Sequence, residues 1–168
     1  MPIAFFKEPT FWRKSMTRQN FLHDDPWDEE DRDQLIRRRV FWRPPNAMMG
    51  ASLHELEPGS PGAWLHMHYG AEEIFFVVSG RPTLRNGETE EQLVPGDFVF
   101  CPEGREGLHT FTNQTDEPAR VLAISAGRFP DVVAYPEQGH AWVATRDPEL
   151  APEGADNGII ARFDLPPQ

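Results

Sequence analysis

The chain has 168 residues, 39% hydrophobic and 26% charged, which suits a single domain able to bury a core without disulfides. Its formal net charge of −11 is repelled by phosphate, so nucleic acid and anionic membrane are excluded as partners, and no stretch has the apolar length to span a bilayer. One cysteine, Cys101, rules out an intrachain disulfide and predicts a reducing, cytoplasmic setting; it reads as a small apolar strand residue in preference to a reactive thiol.

Residues 1–39 read as an N-terminal extension, partly helical, rich in aromatic and charged side chains. The stretch MPIAFFKEPTFWRKS has no continuous apolar block followed by a small-residue cleavage site, and is expected to belong to the mature protein. Asp25-Pro26-Trp27 predicts a helix start, with an Asp cap and Pro at the first helical position. The DEEDRDQLIRRR that follows sets acids toward the helix N-terminus and arginines toward its C-terminus, allowing the pairs Asp28–Arg32 and Asp33–Arg37. Arg37-Arg38-Arg39 then reads as a solvated helix end rather than an anion site.

Residues 40–127 are a dense series of short strands. AMMGASLHEL, AWLHMH and EEIFFVV read as strands, with EPGSPG as a turn between the first two. RPTLR and TEEQLV flank Asn86-Gly87, a strong hairpin signal. Pro95-Gly96-Asp97 is a further turn leading into FVF, and LHTFTN and RVLAIS follow. Strands at this spacing predict a closed barrel or a sandwich. Residues 128–168 read as a C-terminal extension packing on the barrel or on a partner subunit, with IIARF as its strand.

His66-Met67-His68 puts two imidazoles on one face of a strand, because residues i and i+2 point the same way. Alone, such a pair is also an ordinary polar strand face. Glu73 lies five residues beyond His68, where a turn brings the next strand back beside the pair, and His109 falls on a later strand with Asn113 four residues on. Imidazoles with one carboxylate form a shell suited to a first-row transition metal. Strand parity puts Trp64 on the side of His66 and His68, Phe75 on that of Glu73, and Phe111 on that of His109. These aromatics read as a substrate pocket, with core packing as the plainer account of Phe75 and Phe111. His54 reads as a hydrogen-bonded strand histidine or a group behind the ligands, and His23 and His140 carry no motif.

The segment His66–Gly80, HMHYGAEEIFFVVSG, resembles the first cupin motif: H-x-H, four residues, Glu, six residues, Gly. Gly96–Asn113, GDFVFCPEGREGLHTFTN, resembles the second. Fifteen residues separate the two, similar to compact microbial cupins. The resemblance covers roughly residues 45–127 and implies an all-β double-stranded β-helix, a jelly-roll barrel of six to eight strands, usually dimeric, flanked here by N- and C-terminal extensions. It also implies one divalent transition metal per chain (iron, manganese, nickel, cobalt, copper or zinc) on His66, His68, Glu73 and His109. The spacing to Gly80 selects Glu73 over Glu72. One departure stands out: four residues, not two, separate Gly104 from His109, a form similar to a subgroup that also carries a counterpart of Tyr135-Pro136-Glu137-Gln138-Gly139.

The resemblance implies several functions. A metal-dependent oxygenase acting on a small organic substrate leads, with Glu73 as catalytic base. A non-catalytic small-molecule-binding cupin is the alternative from another class. A metal-dependent sugar isomerase or epimerase ranks lower, because residues 40–127 contain no lysine to hold a phosphate; only Lys7 and Lys14 occur in the chain. The expected partners are a small-molecule ligand or substrate and a second copy in a homodimer.

Overall fold

The computed structural model describes residues 18–21, 27–41, 47–145, 150 and 158–166. They form thirteen strands: β1 (Glu29–Asp31), β2 (Ile36–Val40), β3 (Met49–Leu56), β4 (Met67–His68), β5 (Ala71–Ser79), β6 (Thr83–Arg85), β7 (Glu90–Gln92), β8 (Phe98–Cys101), β9 (Thr110–Thr112), β10 (Ala119–Gly127), β11 (Asp131–Tyr135), β12 (His140–Ala144) and β13 (Ile159–Asp164). All pairings are antiparallel. One sheet runs β1-β2-β3-β10-β5-β8. Facing it are the order β13-β12-β11-β4 and the order β7-β6-β9, joined where His66 and His109 form a two-hydrogen-bond bridge. The result is the jelly-roll β-helix that the motifs imply. Among the described residues no helix is long and apolar enough to cross a membrane.

Leu56, Phe75, Val77, Leu93, Cys101, Phe111, Val121 and Ala123 fill the space between the layers, with Ile36, Leu84 and Val99 packed against them. Each is apolar on the inward side of its strand, so burial follows the period-2 pattern. The Asn86-Gly87 hairpin forms as read, joining β6 to β7, with Gly87 at φ 95° where a side chain would be strained. The segment IIARF lies in β13, which pairs with β12 of the same chain.

One expectation fails. Residues 29–40 are a β-hairpin, not a helix. The Asp31 carboxylate accepts the backbone N–H groups of Asp33 and Gln34 at 3.0 and 2.9 Å, closing a turn that competes with helical bonding. Leu35 completes the reversal at φ 53°. Asp28–Arg32 and Asp33–Arg37 are replaced by tertiary pairs: Arg38 with Glu29 at 2.6 Å, and Arg37 with the buried Glu55, which Arg120 also binds at 2.7 Å. Arg37, Arg39 and Arg120 lie 5.0–5.9 Å from the Trp27 ring. Asp25 and Pro26, the cap and first turn of the expected helix, lie outside the described residues.

Candidate metal centre

Four side chains converge inside the barrel from β4, β5 and the segments that meet at the bridge. Ligand atoms of His66, His68 and Glu73 all lie within 4.8 Å of one another. His109 joins them: its Nε2 is 3.4 Å from Glu73 Oε2, the same distance as His68 Nε2. Ring centroids of His66 lie 5.3 Å from His68 and 4.5 Å from His109.

The far nitrogen of each ring is tied down. Nδ1 of His66 donates to the Trp64 carbonyl at 2.7 Å, Nδ1 of His109 to the Gly107 carbonyl at 2.8 Å, and Nδ1 of His68 to Asp131 Oδ2 at 2.6 Å. Carbonyls and carboxylates can only accept, so each Nδ1 carries a proton, and each ring in its neutral form turns an Nε2 lone pair to the centre. Glu73 Oε2 is buried there without a hydrogen-bond partner. An orphaned carboxylate oxygen facing imidazole lone pairs is costly unless a cation sits between them. The cluster is therefore compatible with a single metal ion, and a mixed nitrogen–oxygen shell suits a divalent transition metal.

Electrostatics agree with the geometry. Burial opposes ionisation of Glu73, but His109, His68 and His66 outweigh it and hold its pKa at about 2. Burial also disfavours charge on His109, yet Cys101 and Glu73 carry its pKa up to about 10. Burial, together with its two imidazole neighbours, lowers His66 to about 3. Burial acts against His68 too, but Asp131 and Glu73 raise it.

The residues that lengthen the second motif have a positioning role. Arg105–Gly107 fold into a 3-10 turn whose last carbonyl is the acceptor for His109. A Cβ on Gly107 would come 1.8 Å from the Pro102 carbonyl oxygen, so only glycine fits this turn. Asn113, fully buried, donates to the Leu56, Glu57 and Glu117 carbonyls at 2.8–3.2 Å and closes the loops behind the site.

The aromatic expectations separate. Phe75 and Phe111 are buried core residues 4.7 Å apart, with Phe75 4.9 Å from the His109 ring. Trp64 is 43% exposed and lies edge-on to Tyr135, His140 and Trp142 at 5.8–6.4 Å. Tyr135 stacks on His66 at 5.7 Å. Cys101 is buried on the inward side of β8, opposite Glu73. Asp131, Tyr135, His140 and Trp142 were not found from sequence. They alternate on or beside β11 and β12, but nothing in their spacing ties those strands to β4.

Register exposes a polar wall that sequence parity alone also missed. Directly opposed residues of a ladder share a face, so Gly50, Ser125, Glu73 and Cys101 form one inward row and Ser52, Ala123, Phe75 and Val99 the next. A third row holds Arg38, His54, Val121 and Val77. Ser52 Oγ and His54 Nε2 are 2.8 Å apart. Burial and Arg38 lower His54 to about 4, against a weaker pull from Glu73. The interior is apolar on the β5 and β9 side and polar on the β3 side.

Residues 52–125 match the Cupin_2 family model, a cupin domain. The barrel of this chain is a cupin domain. This cupin is similar to a candidate sugar phosphate isomerase from Acidithiobacillus ferrooxidans, with 32% identity and a TM-score of 0.55 over 60% of this chain and 64% of that one. It thus spans less than two thirds of that relative's length. A cupin-superfamily sugar phosphate isomerase from Silicibacter pomeroyi is 25% identical, with a TM-score of 0.59 over 81% of this chain and 92% of the other. KdgF from Halomonas sp., at 22% identity and a TM-score of 0.55 over 67% of this chain and 96% of that one, shares the fold. None of the curated proteins matches this cupin.

Proposed function

We propose that this cupin is a metal-dependent enzyme that moves a proton on a small hydroxy-carbonyl compound, a reaction of the sugar-isomerase type. The observation that carries the reading is the orphaned Glu73 oxygen among three Nε2 lone pairs, placed beside a wall of hydroxyl and imidazole groups. His66, His68, Glu73 and His109 would hold the ion, which when bound supplies Lewis acidity to a substrate oxygen. The protein's own groups do the rest. Glu73 is the acceptor for the proton on the carbon beside the carbonyl and returns it to the neighbouring carbon, while the hydroxyl proton crosses to the former carbonyl oxygen. Ser52 and the neutral His54 can both donate and accept, which suits substrate hydroxyls. Trp64 and Tyr135 limit the entry of water.

The names borne by two of the similar structures support this class. So does Arg38. It lies opposite His54, where residues 40–127 offer no lysine; its guanidinium pairs with Glu29 at 2.6 Å, and its Nε is buried without a hydrogen-bond partner. The oxygenase reading rests on the apolar side formed by Phe75 and Phe111.

Elemental mass spectrometry of the purified protein comes first, followed by solvent-deuterium exchange into a panel of aldoses, ketoses and their phosphates, with oxygen uptake measured in parallel. Stoichiometric metal, exchange at the carbon beside the carbonyl, and loss of exchange in Glu73→Gln support the proposal. Oxygen uptake without exchange moves the assignment to an oxygenase. Ligand binding without either makes this a binding cupin. Failure to hold any metal after reconstitution refutes the centre.

A further inference from the structure

The inward face of the sheet β4-β11-β12-β13 extends beyond the four converging side chains. Register places Trp142 and Arg162 in the row of His68, and His140 and Asp164 in the next row. Directly opposed residues of a ladder share a face, so Arg162 and Asp164 stand on the same side of the sheet as His68. Trp64 lies edge-on against His140 and Trp142. Strand β13 is the edge of its sheet, and Arg162 and Asp164 are exposed there. Neither side chain has an ion pair or hydrogen bond among the described residues. His140 carries a further unused group. Its Nδ1 donates to the Gln138 carbonyl at 3.3 Å, and its Nε2, the acceptor of that tautomer, is buried without a partner. Buried polar atoms in folded proteins are ordinarily paired.

We propose that this face is a second sugar subsite, so that the substrate is a neutral reducing oligosaccharide, at least a disaccharide, whose reducing unit lies at the metal centre. The inference rests on the isomerase-type reading above and adds the length and charge of the substrate. Length follows from register. From His68 to Arg162 there are three inter-strand steps, about 14 Å, longer than one sugar ring and close to the reach of two. The side chains supply the chemistry. Sugar C–H bonds carry slight positive charge and pack on the negative faces of indoles such as Trp64, which is 43% exposed. Hydroxyls on the rim of the ring need both donors and acceptors; Arg162 donates, while Asp164 and His140 Nε2 accept. Charge decides against a phosphate. Asp164 lies two residues from Arg162 on the same face, and its carboxylate offsets the attraction of the guanidinium for an anion. A neutral sugar meets no such conflict.

Tryptophan fluorescence of the full metal-free chain, titrated with maltose, cellobiose, lactose and melibiose, tests the subsite without relying on catalysis. At least one of the four is expected to bind about tenfold more tightly than glucose, galactose or glucose 6-phosphate, and Arg162→Ala to weaken that binding about tenfold. Arg162 is exposed on an edge strand, so its replacement leaves the core intact, which circular dichroism checks. Disaccharides that bind no more tightly than the monosaccharides overturn the proposal. So does tightest binding of glucose 6-phosphate that is lost in Arg162→Ala, which makes the face an anion site. Solvent-deuterium exchange by the metal-loaded protein separates the subsite from the reading beneath it. Exchange into monosaccharides without tighter disaccharide binding refutes the subsite alone. Disaccharide binding that depends on Arg162, without exchange into any sugar, supports the subsite and refutes the isomerase-type reaction.

Discussion

Asp131→Asn isolates the carboxylate behind the centre without touching any of the four converging side chains. Asp131 Oδ2 takes the His68 Nδ1 proton at 2.6 Å while Oδ1 takes the Gly70 N–H at 2.8 Å. An amide can keep only one of these bonds as an acceptor. With its oxygen on Gly70, its NH₂ faces His68 and drives the ring toward the opposite tautomer, in which Nε2 bears the proton and cannot bind a cation. Removing such a partner weakens metal binding by 10–100-fold, about 1.4–2.8 kcal/mol. The net loss of one charge-assisted hydrogen bond should also cost folding stability, by ~1.5–3 kcal/mol. Competition of zinc between the protein and a fluorescent chelator gives the affinity, and urea unfolding of the metal-free protein gives the stability. Zinc affinity within twofold of the unmutated protein, in a variant that folds, would refute the claim that Asp131 orients His68 toward an ion.

Two further outcomes are expected. Gly107→Ala forces the Pro102 carbonyl or the 3-10 turn to move, which displaces the acceptor for His109; zinc affinity should fall about tenfold or more, while a neighbouring Glu106→Ala should leave it unchanged. Equal affinities for the two variants would show that the turn does not position His109. Burial and Arg38 give folded His54 a pKa of about 4 against 6.5 in the unfolded chain, so the unfolded state binds the extra proton first as pH falls. Its contribution is intact above pH 6.5, is lost between 6.5 and 4, and amounts to no more than ~3 kcal/mol. Urea unfolding from pH 7 to 4 should therefore show a shallower decline in metal-free His54→Gln than in the unmutated protein, and identical slopes would refute the assignment.

The barrel was readable because its signals are local. Period-2 runs, Asn86-Gly87 and Pro95-Gly96 each specify a short stretch of backbone, and the H-x-H pair with Glu73 carries its geometry in its own spacing. What was misread depended on contacts between distant segments. DEEDRDQLIRRR has the charge order of a helix, but Trp27, Glu55 and the β3 ladder give its arginines a better arrangement as strand residues. Asp131 was invisible because its partner lies 63 residues away, and no periodicity reports that β11 will pair with β4. The polar wall was missed for a related reason. Ser52 and Ser125 look like unremarkable strand residues until register sets them on the same face as Glu73 and His54.

The bridge between His66 and His109 has a mechanical consequence. It is a pair of backbone hydrogen bonds that closes the second layer between β4 and β9, where those two strands otherwise belong to separate ladders. The converging imidazoles belong to both sides of that seam, His66 and His68 to one and His109 to the other. An ion gripping all of them would act as a rivet through the seam, substituting coordinate bonds for the ladder that is missing there. Removing it would leave the wall held by the two hydrogen bonds of the bridge and those flanking it, from Gly104 N–H to the His68 carbonyl, Thr110 Oγ1 to the Ala63 carbonyl and Asn113 N–H to the Ser60 carbonyl. Amide exchange at His66 and His109 would then report occupancy of the centre more directly than any global measure of stability.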